Sequence, residues 1–222
     1  HIKKVSGPIP EKELTTLFTQ VLDAIGYAHK KGLVHRDIKP SNIMIDKKGR
    51  IKVLDFGIAK LQEEEKGLTK TGMQIGTASY MSPEQVNAKK VDKLTDIYSL
   101  GVTLFYMAVG KSPYDEETNT FSIQTKIVSE PFPKASKVYP GVSERFEEII
   151  KKATQKKKKD RYQSCEDFKK DLDTSKKNKK IVNKAKVKET KLNIDYKKYK
   201  KFAHVSLNKL KPYITTSRIL IL

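Results

Sequence analysis

The sequence predicts a mainly α-helical fold with one short β-hairpin near its start, and three observations carry that reading. Apolar residues recur at intervals of three and four between Glu11 and Lys31. Two short β-branched runs, Ile43 to Ile45 and Ile51 to Leu54, are joined by Asp46-Lys47-Lys48-Gly49. Lys93 to Val109 is apolar nearly all round.

In the first segment Leu14, Leu17, Phe18, Val21, Leu22, Ile25 and Ala28 line one face of a helix, opened by Pro10 in its first turn and closed near Gly32. The β-branched runs with a polar, Gly-ending connection form a hairpin. The polar, Gly- and Thr-rich stretch from Gly57 to Tyr80 has no periodicity and is expected to be a long surface loop, a feature usually tied to function. A helix without a polar face is buried, so Lys93 to Val109 belongs in the core. After a proline-bearing loop at Gly110 to Glu117, amphipathic helices follow near Thr118 to Ser129 and Ser143 to Ala153. The last helix starts at Ser164, with Asp167 three residues on in a capping-box arrangement.

Charge divides the chain. Up to Thr174 there are 31 Lys+Arg against 24 Asp+Glu; from Ser175 to Leu222 there are 15 against 2, which supplies +13 of the formal +20. Residues 1–174 are therefore read as a folded domain and 175–222 as a Lys-rich, mostly disordered tail. A hydrophobic content of 37% suffices for a core. The single cysteine, Cys165, excludes an internal disulfide, argues against a zinc site and fits a reducing, cytoplasmic compartment. No signal peptide and no apolar run of 18 residues is present. The chain starts at His1 rather than Met and is expected to be processed or part of something longer.

The chemistry lies in three motifs: His35-Arg36-Asp37-Ile38-Lys39-Pro40-Ser41-Asn42, then Asp55-Phe56-Gly57, then Ser82-Pro83-Glu84. Their order and spacing resemble the catalytic loop, magnesium loop and activation-segment end of eukaryotic-type serine/threonine protein kinases, most of all the bacterial ones. The resemblance covers roughly Ile9 to Thr174. It implies the C-terminal lobe of the protein kinase fold, mainly α within an α+β family, using ATP and Mg2+ on a protein substrate with a Ser/Thr acceptor. The small N-terminal lobe is expected to be absent from these residues: no Gly-rich loop, strand lysine or helix glutamate precedes His35, and His1 to Gly7 resembles the end of the short helix after the hinge. These 222 residues by themselves are accordingly expected not to transfer phosphate. The alternative is a non-catalytic interaction module with a basic tail.

Phosphoryl transfer demands positioning and charge neutralisation more than covalent work. The resemblance assigns Asp37 as acceptor of the substrate hydroxyl proton, Lys39 as the cation near the γ-phosphate, and Asn42 and Asp55 as the Mg2+ ligands. Met44 aligns with the residue under the adenine ring, or is a plain core methionine. Lysine two residues after the aspartate is the serine/threonine pattern, and Thr77 matches the threonine that bonds this Lys–Asp pair. Phe56 and Gly57 complete the magnesium-loop motif. Glu84 is expected to pair with Arg161, and Asp96 to hold the catalytic-loop backbone; both roles are structural. His35 is read as a packed element of its loop, and His1, His29 and His204 as surface or core residues.

Three readings of the tail stay open. It is a solvated linker, a juxtamembrane segment whose lysines meet an anionic membrane surface at its inner face, or a nucleic-acid tail. The last is disfavoured because no Arg-rich or aromatic-stacking motif accompanies the lysines. Oligomeric state is not set by the sequence. In the resembling family an arginine at the position of Arg36 marks kinases activated by loop phosphorylation, and Leu68-Thr69-Lys70-Thr71, then Gly76-Thr77, resembles the paired-threonine loop of the bacterial members. The resemblance thus makes Thr69 and Thr71 candidate autophosphorylation sites whose phosphates the arginine would pair. Alanine at both positions should lower activity; unchanged activity with no loop phosphate by mass spectrometry would contradict the assignment.

Overall fold

The computed structural model describes residues 8–46, 49–56 and 75–173. Gly57, Thr69, Thr71, the His1 to Gly7 segment and the tail lie outside these residues. Helix α1 (Glu11–Lys30) buries the seven apolar residues that its periodicity places on one face. Pro10 is its N-cap, one position before the helix, and Glu11 and Glu13 favour the first turn through the helix dipole. The helix ends in a Schellman motif. The Leu33 N–H bonds the Ala28 carbonyl and the Gly32 N–H the His29 carbonyl, both at 3.0 Å. Gly32 takes the left-handed φ of 76° that this closure requires.

Strands β1 (Ile43–Ile45) and β2 (Ile51–Val53) pair antiparallel, Ile43 opposite Val53 and Ile45 opposite Ile51. Gln20 of α1 pins this hairpin, accepting from the Ile51 N–H at 3.1 Å and donating to the Gly49 carbonyl at 3.2 Å. The hairpin therefore has a fixed place against α1.

The stretch read as a loop to Tyr80 is not one at its end. Residues Ile75–Ala78 form a helical turn, α2, and Ala78 and Ser79 are buried. One turn is too short to show a period, and burial here comes from distant partners. Helix α3 (Pro83–Val86) starts at a capping box in which Ser82 and Gln85 satisfy each other's backbone N–H groups. Helix α4 (Lys93–Val109) is capped the same way by Asp92 and Thr95, and is buried along most of its length. Helices α5 (Thr120–Ser129), α6 (Ala135–Val138), α7 (Glu144–Ala153) and α8 (Cys165–Leu172) complete the order. At α8 only half of the expected capping box forms: Ser164 accepts from the Asp167 N–H at 3.1 Å, but the Asp167 carboxylate takes the Ser164 hydroxyl, at 2.7 Å.

The main core joins α1, α4, α7 and α8. Gly101 lets α4 and α7 approach closely, since a Cβ there would lie 2.7 Å from the Ala153 Cβ. A second, smaller cluster packs Ala78, Tyr114, Ile123 and Ile127 with Met81 and Val86, seating α5 against the segment that carries α2 and α3.

One buried ion pair ties these parts together. The Arg161 guanidinium meets Glu84 in a bidentate pair at 2.8 Å on each arm. Its other three N–H groups reach the carbonyls of Leu94 (2.8 Å), Gln155 (2.7 Å) and Lys156 (3.0 Å), so all five donors are used. Thr95 Oγ1 donates to the same carboxylate at 2.9 Å. Burial alone would raise the Glu84 pKa, but the Arg161 hydrogen bonds and charge outweigh it and hold the carboxyl below its ordinary value.

A carboxyl whose pKa is depressed on folding stabilises the chain above its unfolded pKa, about 4.3, and loses that contribution as pH falls through the folded value. Glu84→Gln leaves the buried Arg161 charge uncompensated and should cost about 3–5 kcal/mol at pH 7 in urea denaturation. The difference from the parent should shrink below about pH 4; a pH-independent difference would contradict the pairing.

Candidate functional site

The candidate site lies where the loop 35–42 and Asp55 meet, between the C-terminus of α1 and the hairpin. Two of its residues have left-handed backbones that non-glycine residues rarely adopt, Arg36 at φ 65° and Asp55 at φ 54°. Such conformations persist only where surrounding bonds over-determine them. Around Arg36 those bonds are visible. The fully buried Asp96 carboxylate, on α4, accepts the His35 N–H on Oδ2 and the Arg36 N–H on Oδ1, both at 2.8 Å.

The His35 ring braces the loop from within. Its Nδ1 accepts the Asp37 N–H at 3.3 Å, so the proton sits on Nε2, which donates to the Leu54 carbonyl at 3.0 Å. The ring is fully buried and lies 4.6 Å from the Phe56 ring, centroid to centroid. The His35–Leu54 bond and one more bring Asp55 alongside the loop: the Leu54 N–H donates to the Asn42 carbonyl at 2.8 Å.

Within this frame two side chains converge on one carboxylate. Lys39 Nζ lies 2.9 Å from Asp37 Oδ2, and Asn42 Nδ2 donates to the same oxygen at 3.2 Å. Asn42 Nδ2 also donates to the Asp37 main-chain carbonyl at 2.8 Å. Thr77 Oγ1 accepts from Lys39 Nζ at 3.5 Å, linking α2 to the loop. Pro40–Asn42 is a single 3-10 turn, and Lys39 before it and Asn42 at its end both reach Asp37 Oδ2. Because its nitrogen is spent on Asp37, the Asn42 amide has its oxygen left as the atom for another partner. Asp55 is exposed. Met44 sits at the centre of β1 opposite Lys52, partly buried.

The arrangement supplies a carboxylate held by a cation, plus two hard oxygen donors on adjoining backbone. The protein kinase domain family matches residues 1–172. This chain belongs to the protein kinase family. Among curated kinases it is similar to serine/threonine-protein kinase PrkC of Bacillus subtilis, 41% identical over 170 residues. That match covers 77% of this chain and 26% of PrkC. It is also similar to the probable serine/threonine-protein kinase PknB of Bifidobacterium longum, 37% identical over 172 residues, covering 77% of this chain and 25% of that one. The crystal structure of a double mutant of the PknI kinase domain of Mycobacterium tuberculosis aligns with a TM-score of 0.56 at 25% identity. It covers 77% of this chain and 57% of that one. The chain thus spans about a quarter of the length of these curated relatives. The described residues take the protein kinase fold, helical with a two-stranded sheet.

Sequence reasoning missed His29. Its Nε2–H donates to Asp96 Oδ2 at 2.8 Å, giving that carboxylate a third donor, and its Nδ1 faces the Cys165 sulfur at 3.7 Å. Burial, aided by the Asp96 charge, pushes the Cys165 thiol up to about 12, so it stays protonated and can donate to the ring. The only sequence signal was position: His29 lies one residue past Ala28, at the edge of the buried stripe. Gln85 was missed as well; its Nε2 donates to the Arg36 carbonyl at 2.9 Å.

Asp96→Ala would leave two loop N–H groups and an imidazole N–H buried without their acceptor. At about 1–3 kcal/mol for each orphaned donor, it should cost at least about 3 kcal/mol in urea denaturation, and His29→Ala clearly less. A change within about 0.5 kcal/mol for Asp96→Ala would contradict its place at the centre of the loop.

Proposed function

We propose that the described residues are the C-terminal lobe of a serine/threonine protein kinase, with Asp37, Lys39, Asn42 and Asp55 as its phosphoryl-transfer centre. The observation that carries this reading is the convergence of Lys39 and Asn42 on Asp37 Oδ2, at 2.9 and 3.2 Å. A carboxylate serving only to cap a turn has no use for a lysine and an amide on one oxygen. The relatives named above are serine/threonine kinases, and the Lys39–Thr77 contact supports the same acceptor class.

Each residue then has a defined task. Asp37 orients the Ser/Thr hydroxyl of the protein substrate and takes its proton as the oxygen attacks. Lys39 neutralises charge on the transferred phosphoryl group and keeps Asp37 in place. The donor set fits Mg2+, a hard cation that takes one or two carboxylates together with substrate phosphates. Asn42 through its amide oxygen and Asp55 through its exposed carboxylate would hold it. When bound, the metal screens the negative charge of the ATP phosphates. Met44 would pack beneath the adenine. Arg36 would pair loop phosphates at Thr69 and Thr71, which lie outside the described residues. The domain boundary near Thr174 and the inner-membrane role of the Lys-rich tail belong to the same proposal; no helix among the described residues is long and apolar enough to cross a membrane.

The test is Mg2+-dependent phosphate transfer from ATP by the protein purified from its own cells. Asp37→Asn should lower kcat about 10²–10⁴-fold without shifting the melting midpoint, and phosphate should appear on Ser or Thr. Full activity in Asp37→Asn would overturn the assignment.

A further inference from the structure

Gln85 belongs to no motif that the proposed reaction uses, yet its side chain reaches from α3 into the 35–42 loop. Its Oε1 accepts the Ser82 N–H at 3.0 Å and the Ser82 hydroxyl at 3.2 Å, completing the capping box. Its Nε2 has a separate target, the Arg36 main-chain carbonyl, at 2.9 Å. That carbonyl belongs to the peptide unit joining Arg36 to Asp37. The N–H of the same unit donates to His35 Nδ1 at 3.3 Å, so the peptide immediately before Asp37 is gripped at both ends.

The grip matters because Arg36 is in the left-handed region, at φ 65°. Asp96 holds the N–H side of this residue at 2.8 Å and Gln85 the C=O side. Without the second bond, rotation of the peptide plane would redirect Asp37, and a misplacement of about 1 Å can cost about 10²-fold in rate. Gln85 stands in α3, on the segment that follows α2, so the Arg36–Asp37 peptide is gripped at both ends only while that segment is seated against the loop.

We propose that Gln85 is a positioning residue for Asp37, acting through the Arg36–Asp37 peptide and coupling the Ser82–Val86 segment to the phosphoryl-transfer centre. The inference rests on the phosphoryl-transfer reading above, but its structural half stands apart from it. Two substitutions separate the cap from the grip. Gln85→Glu keeps an oxygen to accept from Ser82, as glutamate does in capping boxes, but has no N–H for the Arg36 carbonyl. Ser82→Ala removes the capping hydroxyl, while the residue 82 N–H still holds Oε1 and Nε2 still reaches Arg36.

The experiment compares both variants with the parent by steady-state kinetics and by amide hydrogen exchange of Asp37. Gln85→Glu should lower kcat about 10- to 100-fold, leave KM for ATP within about twofold, and speed Asp37 exchange at least about tenfold. Ser82→Ala should keep kcat and Asp37 exchange near the parent values. The proposal is overturned if Gln85→Glu leaves kcat and exchange unchanged, or if Ser82→Ala reproduces its losses. The parent and both variants are the protein as its own cells make it; a parent of that kind that transfers no phosphate would refute the phosphoryl-transfer reading instead, and the Asp37 exchange would still decide whether Gln85 grips the peptide.

Discussion

The carboxylate of Asp96 has no exposure to solvent and sits on the most buried helix among the described residues. A group there is tolerated only when its hydrogen-bonding capacity is used. Here three N–H donors use it: the main chain of His35 and of Arg36, and the ring of His29. The consequence runs outward. Because Asp96 fixes the peptide N–H groups of His35 and Arg36, the left-handed turn at Arg36 is enforced, His35 can brace both Asp37 and Leu54, and Lys39 and Asn42 reach one oxygen. An interior electrostatic demand in α4 thus sets the geometry of a loop near the surface.

The Glu84–Arg161 pair has a different task. Removing such a pair altogether for apolar residues often costs little, whereas breaking it costs much, so its value here is in what it joins. Through five donors Arg161 collects Glu84 from α3, Leu94 from α4 and the carbonyls of Gln155 and Lys156. The α3 segment is thereby anchored to the main core from below, and Gln85 holds it to the 35–42 loop from above. The second cluster, around Ile123 and Ile127, adds the packing that keeps α5 on the same segment.

Elements with a strong local signal were legible in the sequence. The α1 stripe, the hairpin with its glycine, and the apolar α4 are determined by periodicity and turn chemistry within each segment. What escaped is stabilised from far away. The turn α6 has no side-chain cap of its own; the Glu147 carboxylate, from α7, accepts the Ala135 and Ser136 N–H groups at 3.3 and 2.8 Å. The turn α2 and the burial of Ala78 likewise depend on α5, not on their own composition. At the site, the roles of residues carried by motifs were named in advance, while those of His29 and Gln85 were not. A histidine at the edge of a stripe and a glutamine two residues after a proline have no pattern until the chain folds around Asp96 and Arg36.

The account turns on Asn42 and Asp55 facing one metal–nucleotide complex across the hairpin, beside Asp37. The most direct measurement is paramagnetic broadening of backbone amide signals in the native protein, with Mn2+ and a non-hydrolysable ATP analogue added together. The account predicts that the amides of residues 42 and 55 broaden first, and that Asp55→Asn abolishes the effect without unfolding the chain. Broadening centred elsewhere, or unchanged in Asp55→Asn, would contradict it.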